Sequence, residues 1–435
     1  MKPRFLRSAR YRGFSYQQQL RRMVFWTGAV LVAASAILFA KGSSAAIEVF
    51  RGITAEHPWL ALIICPAGLA TCLWLTLRVF PGAQGSGIPQ TIAAIQDPAI
   101  TTESSVLSLR VAIGKVMITM LGLACGAAVG REGPSVQVGA ALMHNLGNVL
   151  RLPQHDLRRA LILAGGAAGV AGAFNTPLAG IVFAIEELSR SFEERTSGRV
   201  FSTVILAGIV SMAVLGNYTY FGHTDAVLNL ANGWLPVILC GTVGGLLGGL
   251  FARILITFGR GLPGAVGVWI KAHPVAFAAL CGLALAGLGV ISGGATYGTG
   301  YDETRALLAG KETSAVWGLL KMGASIISYI SGIPGGIFAP SLAVGAGVGH
   351  ALTGWMPGVP AGAAIILGMV AYFTGAVQAP ITAVVIVMEM TDNQSMTIPL
   401  MACALIAFKV SKQLCPTPLY KAMAEAFIKR EAPKR

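Results

Sequence analysis

Arg131 and Glu132 are the only charged residues between Val116 and Leu150, and they sit in the turn Gly130-Arg131-Glu132-Gly133-Pro134. An ionisable side chain among apolar residues at membrane depth is costly, so it marks function by default. Two further turns have the same form, Gly85-Ser86-Gly87-Ile88-Pro89 and Gly336-Ile337-Phe338-Ala339-Pro340. Each has glycine, then proline, then an apolar run of helical character. Such a turn presents the unsatisfied N–H groups of a helix start and the positive end of its dipole. Several converging on one point bind an anion without a full positive charge. Backbone dipoles hold the ion and still let it leave, which a cage of lysine or arginine would oppose. Ser86 adds a hydroxyl donor.

Glu132 could be a first-turn acid favoured by the helix dipole. On an anion-binding turn it can do more. Its carboxylate can occupy the place an anion would take, and protonation releases it. One side chain then couples proton uptake to anion movement by competition.

Little other chemistry competes. None of the six histidines (His57, His144, His155, His223, His273, His350) forms HExxH, and neither a GxxxxGK[ST] loop nor a GxSxG elbow is present. Cys65, Cys72, Cys125, Cys240, Cys281, Cys403 and Cys415 contain no CxxC pair and read as small buried residues. No cofactor or metal is implied. Glu132 and Glu187 could form the acid/base pair of an intramembrane enzyme, but no nucleophile or metal set accompanies them.

The elements that must position these residues are membrane helices. Of 435 residues, 54% are hydrophobic and only 11% charged, against about 25% charged in soluble domains. The chain is expected to be an all-α polytopic membrane protein. Its 55 glycines suit closely packed and broken helices. The net charge of +14 is concentrated near the ends, with Lys2, Arg4, Arg7, Arg10, Arg12, Arg21 and Arg22 in an acid-free head. Both termini are therefore expected in the cytoplasm. Orientation and membrane lipid explain this basic head better than nucleic acid does.

Helices are expected near 23–41, 58–80, 106–127, 133–150, 157–174, 177–190 and 199–215, with a short one near 90–97. They resume near 233–258, 273–291, 301–309, 314–331, 339–352, 361–377, 380–390 and 396–410. Between the halves lies a more polar connection with Asn217, His223, Asp225, Asn229 and Asn232. This divides the chain into a basic segment 1–22, membrane repeats 23–222 and 223–420, and a short cytoplasmic tail 421–435, with no room for a soluble regulatory domain.

The repeat is readable directly. Pro134-Ser135-Val136-Gln137-Val138-Gly139-Ala140 matches Pro340-Ser341-Leu342-Ala343-Val344-Gly345-Ala346, and Pro177-Leu178-Ala179-Gly180-Ile181-Val182 matches Pro380-Ile381-Thr382-Ala383-Val384-Val385. The two offsets are nearly equal. Duplicated membrane halves are typical of transporters, with the site at their interface. The alignment places Glu186 opposite Glu389, but Glu132 opposite Phe338 and Glu187 opposite Met390. Symmetry supplies the scaffold, and these departures are where function is expected.

From about residue 58 to Tyr420, and above all at the three turns, the chain resembles the CLC family of chloride channels and proton-coupled chloride antiporters. The resemblance implies two inverted-topology repeats of tilted and broken helices, and a homodimer with one ion pathway per subunit. Carried over by position, Ser86, the backbone N–H groups of Ile337 and Phe338, and the Tyr420 hydroxyl of Pro418-Leu419-Tyr420 would coordinate the anion. Glu132 would be the external gate and proton acceptor. Glu187, in Phe183-Ala184-Ile185-Glu186-Glu187, would be the internal proton-transfer residue, though an acid at a cytoplasmic helix end is the plainer reading of it. Serine at 86 suggests chloride, where proline would suggest nitrate. The expectation is therefore chloride/proton antiport in an inner or plasma membrane, with a passive chloride channel of the same fold as the alternative.

Overall fold

The computed structural model describes residues 4–97, 99–100, 105–150, 155–189, 194–216, 219–228 and 234–431. Side chains of residues 4–18, 20–21, 155–156 and 194–197 lie outside that description. Lys2, Asn217, Asn229, Asn232 and the tail from 432 also fall outside the described residues, as do the side chains of Arg4, Arg7, Arg10, Arg12, Arg21 and His155.

Apolar runs punctuated by proline and glycine give a helical chain. The first half comprises α1 (Arg4–Glu56), α2 (Ala61–Arg78), α3 (Ile88–Gln96), α4 (Leu109–Ala124), α5 (Glu132–Val149), α6 (His155–Phe174), α7 (Pro177–Phe183) and α8 (Glu194–Leu215). The second comprises α9 (Leu235–Arg260), α10 (Gly264–Ala272), α11 (Pro274–Ile291), α12 (Tyr301–Leu308), α13 (Trp317–Ile330), α14 (Phe338–Leu352), α15 (Ala361–Val377), α16 (Pro380–Thr391) and α17 (Thr397–Leu414). Helix α18 (Leu419–Glu431) follows. Among the described residues, 7 helices are long and apolar enough to cross a membrane. Helices α3, α7 and α12 have only 9, 7 and 8 residues. At about 1.5 Å per residue they fall well short of a hydrocarbon core of about 30 Å, so their ends lie among protein.

Four elements differ from expectation, the last being α18, a helix over Leu419–Glu431 where a tail is expected. Helix α1 does not stop near residue 41. Ser44 donates back to the Ala40 carbonyl (3.2 Å) and is absorbed into the helix, which ends only before His57-Pro58. Helix α10 arises between Pro263 and Pro274 where no helix is expected. The single helix expected over 177–190 ends at Phe183 and widens into a π-turn, Ala184–Ser189.

The two halves repeat one packing scheme. Helix α5 lies on α6 as α14 lies on α15. A Cβ built on Gly139 would sit 2.2 Å from the Gly165 carbonyl oxygen, and one on Gly345 would sit 2.5 Å from that of Gly368. Both crossings are therefore backbone against backbone, as small-residue membrane interfaces allow.

The halves also clasp each other reciprocally. Gly130 and Gly336 form an antiparallel bridge, each N–H donating to the other's carbonyl at 2.7 Å. The Glu186 carboxylate accepts from the Ile381 (3.1 Å) and Thr382 (2.6 Å) N–H groups at the start of α16. The Glu389 carboxylate accepts from the Leu178 (3.1 Å) and Ala179 (2.7 Å) N–H groups at the start of α7. Each glutamate satisfies orphan donors at the positive end of its counterpart's helix. Mutual exchange of this kind requires a local two-fold relation, which is the inverted repeat.

Residues 219–228 of the connection dock on the end of α16. Phe221 N–H donates to Met390 O (2.9 Å), and Asn393 Nδ2 donates to Thr224 O (2.9 Å) and Ala226 O (2.8 Å). Exposed His223 lies between Asp225 (Nε2 to Oδ1, 2.8 Å) and Asp392 (Nδ1 to Oδ2, 3.3 Å). The hydrogen bond and charge of Asp225, with those of Asp392 behind them, hold the imidazole above its ordinary value of 6.5. A raised value in the fold means the pairing is fully present below 6.5 and is lost as pH rises through the higher folded value. Amide exchange over residues 221–228, corrected for its intrinsic pH dependence, is expected to accelerate across that window, and His223→Gln to remove the step. Exchange with the same step in the variant would count against the pairing.

Candidate functional site

The three glycine turns converge. Gly335 N–H donates to Gly85 O (3.1 Å), so the first turn hangs on the third, which the Gly130–Gly336 bridge joins to the second. Gly87 starts α3 with φ +98°, and a Cβ there would meet the Gly133 carbonyl oxygen at 2.9 Å. A Cβ on Gly133 would meet Ser86 Oγ at 2.2 Å and the Ser86 carbonyl oxygen at 2.8 Å. Glycine is needed here because the turn backbones touch.

Lys115 explains how the first turn is held. Fully buried on α4, its Nζ donates to Gln84 O (3.2 Å) and to Gln137 Oε1 (2.8 Å). At the repeat-equivalent place on α13, buried Lys321 donates to Thr296 O (2.8 Å), Tyr297 O (3.3 Å) and Gly298 O (2.7 Å). Neither lysine reaches the centre. Each clamps the loop before a short broken helix, and the oxygens it gathers satisfy its N–H donors. Neither stands out by itself in the sequence, although the aligned repeats pair the two lysines inside apolar helices.

Four groups meet at the convergence with no hydrogen bond. They are Ser86 Oγ, both Glu132 carboxylate oxygens and the Tyr420 hydroxyl, on residues that are all buried. Ser86 and Tyr420 hydroxyls face each other, and Tyr420 is within electrostatic reach of Glu132 and Glu187. The Glu132 carboxylate lies beside the backbone N–H groups of Glu132, Ala339 and Arg131, outside hydrogen-bond geometry. It packs so closely on Gly130 that a Cβ there would fall 2.1 Å from Oε2. The carboxylate therefore lies between the start of its own helix α5, which it does not cap, and the start of α14.

Ile337 and Phe338 begin α14, where the first N–H groups have no helical acceptor. The Phe338 ring is locked edge-on against Phe373 (4.8 Å) and Phe183 (5.6 Å) and tilted to Tyr420 (6.1 Å). Tyr420 enters from the first turn of α18. Arg131 is buried, donates to Ala40 O (2.8 Å) and lies 5.8 Å from the Tyr220 ring centre.

Glu187 is buried on the π-turn beside Glu186. The neighbours diverge, Glu186 reaching α16 and Glu187 turning into the protein. In the other half α16 stays a regular helix, with buried Met390 in that place. Arg190, Glu193 and the Glu194 side chain, which follow it in the chain, lie outside the described residues.

Two cavities approach the turns. One of about 250 Å³ reaches Ser86 and is bordered by α18 residues including Arg430. The other, about 230 Å³, reaches Arg131 and is bordered by Arg51, Glu48 and Asp302. Across it Arg51 pairs with Asp302 and Glu303, tying α1 to α12. One cavity thus reaches the turn of Ser86, and the other reaches Arg131, the chain neighbour of Glu132.

Residues 67–412 match the family model described as voltage gated chloride channel. The H(+)/Cl(−) exchange transporter ClcA of Vibrio vulnificus (strain YJ016) is 31% identical over 396 residues, covering 86% of this chain and 81% of that protein. ClcA of Cronobacter sakazakii is 32% identical over 397 residues, covering 87% and 82%. Among solved structures, a slow cyanobacterial Cl−/H+ antiporter superposes with a TM-score of 0.78 at 24% identity, over 94% of this chain and 99% of that one. A CLC-type fluoride/proton antiporter superposes with a TM-score of 0.76 at 23% identity, over 93% and 98%. Fold, inverted repeat and sequence agree: the chain belongs to the CLC family of voltage-gated chloride channels and transporters.

Proposed function

We propose that the protein exchanges chloride for protons across a membrane. One observation carries the reading: a buried, unpartnered carboxylate lies beside N–H groups of an anion-binding turn. On this reading the turns form the constriction between the two cavities. Chloride is coordinated by Ser86, Tyr420 and the backbone at Ile337 and Phe338. Glu132, from the side of Arg131, competes with it as a built-in anion. Protonation neutralises the carboxylate and frees the place; chloride then occupies it, and the returning charge expels the ion. Glu187 passes the proton between the turns and the α18 face. Binding by dipoles and hydroxyls keeps the ion exchangeable. The relatives named for H(+)/Cl(−) exchange support the coupling.

The same reading makes the protein a homodimer with one ion pathway in each subunit, in the inner membrane, with both termini cytoplasmic. Exposed Leu178, Ile205, Ile381 and Leu405 on α7, α8, α16 and α17 supply an apolar face for a second copy.

Purified protein in liposomes carrying a chloride gradient is expected to drive protons uphill, and the reversal potential in combined gradients to depend on both ions. Chloride flux with no proton movement would make it a passive channel of the same fold. Absence of any chloride flux would sink the reading altogether.

A further inference from the structure

We propose that the Tyr329 hydroxyl is a further anion-coordinating group, placed where the α18-side cavity meets Ser86. The inference rests on the anion path proposed above, but not on proton coupling.

Tyr329 lies in the last turn of α13 and lines that cavity beside Gly85 and Ser86. Its hydroxyl is close to the turn, 3.7 Å from where a Gly85 Cβ would lie. The backbone N–H of Ser86 lies beside it without bonding to it. The O–H itself donates to Met423 Sδ (3.2 Å), a thioether and so a weak acceptor. Tyrosine hydroxyls this enclosed ordinarily find a better partner.

The arrangement is suited to exchange. An anion arriving from the cavity is a far stronger acceptor than a thioether. Rotation about the ring–oxygen bond turns the O–H from Met423 to the anion. Departure of the ion returns the O–H to Met423 Sδ, so the hydroxyl proton has an acceptor at either stage. Arg260 and Arg430 flank the cavity, and Arg430 Nη2 is anchored on Gly259 O (2.8 Å). They raise local anion concentration without entering the path. Tyr329 as a packing ring alone would account for its place between α13 and α18, but not for an O–H directed at sulfur beside an anion turn.

The test uses the full chain in liposomes, with half-saturating chloride measured separately from each side. Tyr329→Phe keeps the ring and is expected to raise half-saturation about tenfold or more from the α18 side, the lower end of one hydrogen bond to a charged group. Half-saturation from the opposite side and the ratio of protons to chloride should not change. No change on either side, or an equal rise on both, would overturn the proposal. Met423→Leu removes the sulfur acceptor but keeps the packing, and is expected to leave half-saturation no higher than wild type. A rise matching Tyr329→Phe would assign the effect to α13–α18 packing and also overturn it. A wild-type protein that moves chloride without protons would refute exchange yet leave this test intact.

Discussion

Glu132→Gln is expected to abolish proton movement while chloride continues to flow. Glutamine preserves the volume of a fully buried side chain, so the turn keeps its packing on Gly130. It can neither ionise nor compete as an anion for the N–H groups at the start of α14. The proton flux, which needs a group that binds and releases a proton at the constriction, should fall by about 100-fold or more. Chloride binding measured by titration calorimetry should be as strong as in wild type or stronger, because the internal competitor is neutral. A variant that still drives protons uphill at the wild-type ratio would reject the gating role of Glu132 and move the search to other acids.

Gly133→Ala is expected to damage chloride binding more than any substitution of equal size elsewhere. The new methyl would lie 2.2 Å from Ser86 Oγ, 2.8 Å from the Ser86 carbonyl oxygen and 3.3 Å from Gly336 Cα. The hydroxyl can rotate away, but the backbone oxygen cannot. Its turn is pinned on one side by Lys115 on Gln84 O and on the other by Gly335 on Gly85 O. The three turns must separate. Overpacking of this kind costs about 1–3 kcal/mol of stability, and chloride affinity should fall at least about tenfold, since a charged-group hydrogen bond contributes about that much. Thermal unfolding and calorimetry on the same detergent-solubilised protein read both effects. Gly287→Ala, inside α11 with nothing within 4 Å of the new methyl, is the control: it should leave affinity unchanged and stability unchanged or slightly raised. Wild-type affinity in Gly133→Ala would show that chloride does not bind where the turns meet.

The turns, the repeat and the exceptional acid were all legible because they are local. Glycine followed by proline sets a backbone, an apolar run sets a helix, and a duplicated unit leaves matching words in register. The alignment also paired Glu186 with Glu389, and those two residues indeed perform the same act. What that act is could not be read. Each carboxylate meets donors on a helix some two hundred positions away, as the Glu186–Thr382 bond shows. Helix ends behaved likewise: Ser43-Ser44 looks like a stop until its hydroxyl is seen folding back onto α1, and the π-turn at Ala184–Ser189 has no local signature.

By itself the sequence determined a helical membrane protein with two related halves, three anion-type turns and one acid out of place. Charge content, periodicity and glycine–proline punctuation act over a few residues and survive without tertiary context. Folding alone brings the three turns together, makes clamps of Lys115 and Lys321, leaves Ser86, Glu132 and Tyr420 without hydrogen bonds at the turns, and sets Tyr329 where the cavity meets Ser86. Those outcomes depend on which segments meet across the inverted repeat, and burial and hydrogen bonding exist only once they have met.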